Sequence, residues 1–189
     1  RKKEINAAVG GRELSSLTQS DWVKIDKIAS SSLSDTDLET RYMKRIERLK
    51  FMLEPDENGG LRYTVGKRSA SSGDKVWPYA MDEWGNIYTA DDRVDENRAG
   101  KSMFNHSSFA AGDKVVCAGM LSINNNGKLT QIDTNSGHYK PTKEQLKAVV
   151  FILQDEYEVN LDLTEIIVTK PAGPLETWPA GQAVSFLWS

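Results

Sequence analysis

The feature that most constrains the fold is a change of hydrophobic period across residues 55–60. Before it, Leu38, Tyr42, Ile46, Leu49 and Leu53 recur at intervals of four and three, the spacing of one helix face. After it, Leu61, Tyr63 and Val65 alternate with Arg62 and Thr64, so the period is two and Arg62 points away from the core. Helical spacing in front and strand spacing behind predict an α+β fold: N-terminal helices packed on a mainly antiparallel twisted β core with one late helix. Two regions are expected, a helical N-terminal segment over 1–55 and an α+β catalytic or binding core over 56–189.

Within the first region, residues 1–20 read as a polar lead-in. Ser20 or Asp21 caps a helix carrying Trp22, Ile25 and Ile28, and the run Ser30-Ser31-Ser32-Leu33-Ser34 breaks it. A second helix is expected from a cap at Ser34 and Asp35 through Leu53. In the second region, segments 77–81 and 87–89 flank a turn containing Gly85 and Asn86, a hairpin pattern. Residues 91–101 are charged and patternless, a candidate mobile loop. A strand over 115–123, an Asn-Gly turn at Asn126-Gly127 and a return strand over 129–132 form the central hairpin. Thr142 and Gln145 have capping-box spacing and open a helix that buries Leu146, Val149, Val150 and Leu153. Glu165 opens a strand to Thr169, 171–178 is a Pro- and Gly-rich tail, and 184–188 reads as a last strand.

Composition excludes several roles. No apolar run approaches the roughly 20 residues that a bilayer requires, so no membrane partner is expected. A net charge of −3, with basic residues interleaved among acids, offers no footprint for nucleic acid. Cys117 is the one cysteine and lies in an apolar strand, which forbids a disulfide framework and fits a reducing compartment. The chain begins on Arg1 without Met and shows no signal-peptide pattern, so an excised segment of something longer is expected.

Both histidines fall at the ends of one stretch. His106 stands in Phe104-Asn105-His106-Ser107-Ser108-Phe109 and His138 in Ser136-Gly137-His138-Tyr139-Lys140-Pro141. They read either as hydrogen-bonded scaffold residues or as ends converging on a site. An imidazole, hydroxyls and turn amides suit a carboxamide or ribose. On a strand, His106 and Ser108 share a face and Ser107 points the other way, which argues against a serine hydrolase. Two histidines without clustered Cys or carboxylates fall short of a zinc site, and no metal is expected.

Arg62, then Ser107 or Ser108, then Glu165 resemble in chain order the Arg, Ser-Thr-Ser and Glu motifs of bacterial mono-ADP-ribosyltransferases. Here the middle motif reads His-Ser-Ser, and Leu163 stands where a second Glu or Gln would precede Glu165. The resemblance implies an ADP-ribosyltransferase-like fold and NAD as the substrate. Its catalytic residues would be Glu165, Ser107 and His106, with Arg62, Tyr63, Ser108, His138 and Tyr139 lining the NAD pocket. Chemically, guanidinium matches phosphate and a fixed carboxylate stabilises an oxocarbenium-like transition state. Layout extends this to a secreted bacterial effector or toxin in the host cytoplasm, modifying a host protein acceptor such as ubiquitin. The alternative is a non-enzymatic protein-binding effector module.

A second resemblance spans about 61–168. Val76-Trp77, Ile87-Tyr88, His106-Ser107-Ser108-Phe109-Ala110-Ala111-Gly112, Ala118-Gly119, Gly127-Lys128-Leu129 and Ser136-Gly137-His138-Tyr139-Lys140-Pro141-Thr142 resemble a domain of plant IQ-motif calmodulin-binding proteins. The sequence itself contains no IQ motif, so calmodulin binding is not implied. No activity is implied by that domain either.

Overall fold

The structure, a computed structural model, describes residues 39–40, 43, 45–73, 75–90, 102–103, 106–111, 113–169 and 175–189. The expected helix with Trp22, Ile25 and Ile28 and the charged stretch 91–101 lie outside them. Residues Glu39–Ser189 form one unit. Near its start a two-residue strand β1 (Glu39–Thr40) pairs parallel with β6 (Ser102–Met103).

The second expected helix is corrected. Among the described residues it is helical only over α1 (Arg45–Arg48) and a 3-10 turn at Leu49–Phe51. Leu53–Pro55 is instead strand β2, antiparallel to β3 (Leu61–Tyr63). Long-range pairing overrides the local stripe because Leu53 and Tyr63 are both buried at matching register positions. Val65 falls in the turn after β3 and is exposed, so the alternation stops at Tyr63.

The central sheet holds six strands. Strand β4 (Trp77–Met81) pairs antiparallel with β5 (Ile87–Thr89) on one side and with β7 (Cys117–Ile123) on the other. Strand β7 continues antiparallel into β8 (Leu129–Asp133), which lies parallel to β9 (Glu165–Val168). Finally β10 (Glu176–Trp178), inside the expected tail, closes the edge antiparallel to β9. The order is therefore β10-β9-β8-β7-β4-β5. The result is a mixed α+β unit with a mainly antiparallel sheet and few helices.

The parallel β8–β9 pair requires a crossover, supplied by α3 (Lys143–Phe151) and a π-helical turn at Ile152–Glu156. Thr142 and Gln145 form the expected capping box, each side chain bonding the other's backbone N–H. Leu146, Val149, Val150 and Leu153 are buried, as their spacing predicts. The last apolar run forms α4 (Ala183–Leu187) and not a strand. Phe186 anchors it by packing edge-on to Trp178 at 4.8 Å between ring centroids.

Alternation along β4 and β7 gives the sheet two apolar faces. Tyr79, Met81, Cys117 and Leu121 share a core with Leu146, Val149, Leu153 and Phe186 from α3 and α4. Ala80 and Ala118, paired across the strands, belong to a second cluster with Met43, Tyr88 and Phe109. Their small side chains leave room for the helix that carries Phe109.

Candidate functional site

That helix is α2 (His106–Ala110), which corrects the expected strand geometry for His106, Ser107 and Ser108. Ser108 is fully buried and its carbonyl accepts the Met43 N–H at 2.9 Å; Ser107 is buried beside it. His106 is half-buried, with Nε2 2.8 Å from Gly119 O and Nδ1 3.3 Å from Ser136 Oγ. A carbonyl can only accept, so Nε2 carries the proton and Nδ1 receives the Ser136 hydroxyl. The Tyr139 N–H in turn donates to Ser136 Oγ at 3.3 Å. Burial pulls the imidazole below its ordinary pKa, reinforced by the charge on His138 and opposed by the bond to Gly119. The neutral ring is thus a bracket between β7 and the segment after β8.

The same bracket continues inward. Tyr79 lies opposite Gly119 in the β4–β7 ladder, and its hydroxyl donates to Asp133 O at 2.9 Å. One carboxylate oxygen of Asp133 accepts N–H bonds from Met120 at 2.7 Å and Asn135 at 2.8 Å. Burial raises the Asp133 pKa, while those bonds oppose the rise. Burial also pushes the Cys117 thiol up to about 11, which keeps it protonated and inert as a nucleophile. On the far side Tyr139 donates its hydroxyl to Asp113 O at 2.9 Å. The two histidine-bearing runs therefore meet, but they meet to tie strands together.

The expected transferase residues do not assemble. Arg62 on β3 bonds Glu54 of β2 at 2.7 Å, and Lys67 holds the same carboxylate at 2.7 Å. Leu61 beside it bonds Gly127 O in the turn that ends the β7–β8 hairpin. His106 binds Gly119, four residues before Ile123 and hence about 13 Å back along the strand toward the other end. Glu165 starts β9 at the register position of Gln131, half-buried in the sheet. Tyr63 is buried with the Arg68 guanidinium 4.8 Å above its ring. His138 is exposed and packs edge-on against Tyr139.

An open feature lies elsewhere, on the outer side of α3. Ala148, Phe151, Ile152, Val184, Leu187 and Trp188 line a groove of about 610 Å³. Its mouth carries Glu144, Lys147, Gln154 and Asp155. Trp188 is 87% exposed, and Phe151 and Val184 are also exposed. The spacing of Leu146, Val149, Val150 and Leu153 predicts one buried side of α3, and the apolar residues at 148, 151 and 152 form a second stripe that marks this groove in the sequence. Gly119, Asp133 and Tyr79 gave no such local signal.

The described residues therefore form an α+β unit in which His106 braces the sheet and an apolar groove lies open along α3 and α4. Residues 47–146, just over half of the chain, match the family of the IQ motif-containing protein middle domain, and the chain belongs to that family. It is 41% identical over 66 residues to the IQ domain-containing protein IQM3 of Arabidopsis thaliana, covering 35% of this chain and 14% of that protein. Against IQM2 of the same plant it is 38% identical over 66 residues, covering 35% and 10%. Against IQM1 it is 29% identical over 127 residues, covering 67% and 24%. The chain therefore spans a quarter or less of these relatives' length. No solved structure matches it.

These findings correct the transferase reading. The relatives are named as IQ domain-containing proteins and not as ADP-ribosyltransferases, toxins or other enzymes, and they come from a plant. A secreted bacterial effector acting in a host cytoplasm is overturned on the same ground, and a ubiquitin or host acceptor has no support. NAD was expected as the substrate of that reaction and is not proposed without it.

Proposed function

We propose that the chain is a non-enzymatic protein-binding module. The observation that carries this reading is the apolar groove along α3 and α4, with Phe151, Val184 and Trp188 exposed at its surface. Large exposed apolar side chains gathered in one concavity are characteristic of surfaces that bury against a partner. The family supports a protein partner. The interior bracket of His106, Gly119, Asp133 and Ser136 then serves to keep the sheet rigid beneath that surface.

The test is capture from an Arabidopsis extract on the immobilised chain, followed by reconstitution with the purified recombinant partner. A stoichiometric complex on size exclusion is expected. If the folded chain captures no protein that forms a complex on reconstitution, the binding-module reading is overturned.

A further inference from the structure

We infer that the α3–α4 groove is the docking surface for a basic amphipathic helix of a partner protein, an inference that rests on the binding-module reading above. Its floor is formed by two helical stripes. On α3 and the π turn, Ala148 and Ile152 are four residues apart, with Phe151 beside them; on α4, Val184 is followed by Leu187 and Trp188. Residues of both short helices line this one open groove, a surface of the kind that accepts the apolar face of a third helix. The groove's apolar character extends toward the β4–β5 turn. A Cβ on Gly85 would lie 3.7 Å from Ile152, and its neighbour Trp84 is exposed.

Charge selects the occupant. Among the described residues lining the groove Lys147 is the one cation, and it is already engaged, with Nζ 2.6 Å from Ser189 O and 3.3 Å from Glu144. Asp155 lines the groove, and it and Glu156 and Glu158, which follow it closely in sequence, are exposed and make no described ion pair. They also stand at the C-terminal end of the α3–π helix, whose last turn holds no basic residue. Carboxylates there oppose the helix dipole, so the isolated chain bears a repulsion that an incoming cation would relieve. A helix with an apolar stripe flanked by Lys and Arg meets both requirements, whereas an acidic helix adds to the repulsion.

The probe is a fluorescein-labelled model peptide of about 18 residues, long enough to hold a helix in water, with Leu at helical spacing and Lys on the remaining face. Its counterpart carries Glu in place of Lys. Anisotropy titrations use the full chain, Val184→Asp, and the double variant Asp155→Lys/Glu156→Lys. All of these positions are exposed, and circular dichroism verifies the fold. The Lys peptide should bind the native chain, with at least tenfold weaker binding to each variant, and the Glu peptide should bind at least tenfold more weakly than the Lys peptide. Equal or tighter binding of the Glu peptide overturns the inference. So does sedimentation showing self-association that Val184→Asp abolishes, because the occupant would then be a second copy. If neither peptide binds, while a captured partner binds the native chain and Val184→Asp equally, the groove assignment fails and the binding module stands. If no partner is captured either, both fail.

Discussion

Gly119 lies so close to the backbone oxygen of Asp133 that a Cβ built on it would come nearer than any real carbon–oxygen contact. The two nearest atoms, the Asp133 carbonyl oxygen and carbon, are main chain, so no side-chain rotation relieves the clash. Gly119→Ala must therefore separate β7 from the end of β8 and disturb the His106 and Tyr79 bonds at once. A loss at or above the upper end of the ~1–3 kcal/mol typical of overpacking is expected, read as a fall in the urea midpoint.

His106 makes stability depend on pH in a defined direction. Its folded pKa is lowered from the ordinary 6.5, so on acidification the unfolded chain takes up this proton first. The contribution is complete above about 6.5 and is lost as pH falls from there to the folded value, at no more than about 1.4 kcal/mol per pH unit. Stability of the native chain minus that of His106→Gln should show this slope; a flat difference would remove the neutral imidazole from the account.

Arg62 sits in an ion pair at the surface, its side chain 29% exposed. Arg62→Gln is expected to cost no more than about 1 kcal/mol, less at high salt. Lys67 first and Arg62 second hold the Glu54 pKa below its ordinary 4.5, so this stabilisation is present above that value and lost on acidification through the folded one. Urea titrations at two salt concentrations and two pH values check both statements.

Glu158 adopts φ +51 directly after the π turn, where the Val159 N–H bonds back to Leu153 O at 2.8 Å. This left-handed position costs an L-residue roughly 1 kcal/mol, and the exposed Glu158 side chain contributes no described bond in return. Glu158→Gly should raise the melting temperature by several degrees, corresponding to up to about 1 kcal/mol.

The legible parts of the fold were those specified by neighbours in sequence. The Thr142–Gln145 capping box, the buried stripe of α3 and the Asn-Gly turn after β7 are each encoded within a few residues. What misled were short apolar runs, where period cannot separate helix from strand. The run expected as a strand over 184–188 falls in the helix Ala183–Leu187 and its cap, His106-Ser107-Ser108 forms a helical turn, and Leu53 leaves the helical stripe to pair with Tyr63. The His106 bracket was half legible: its two runs were visible, but Gly119 and Asp133 acquire their role only when strands 14 positions apart in sequence come together.

The parallel β8–β9 pairing separates the boundary of sequence similarity from the boundary of cooperative folding. The family match ends at residue 146, inside α3, before the strand that covers β8 has been made. A fragment cut there would present β8 as a raw edge and leave Ile132 and Leu129 without the cover of Ile166, inviting strand exchange between molecules. Closing that edge requires a connection of more than thirty residues, whose loop entropy is recovered only once α3 and β9 dock. Residues beyond 146 are thus part of what closes the β8 edge of the matched segment, however weakly their own sequence announces it.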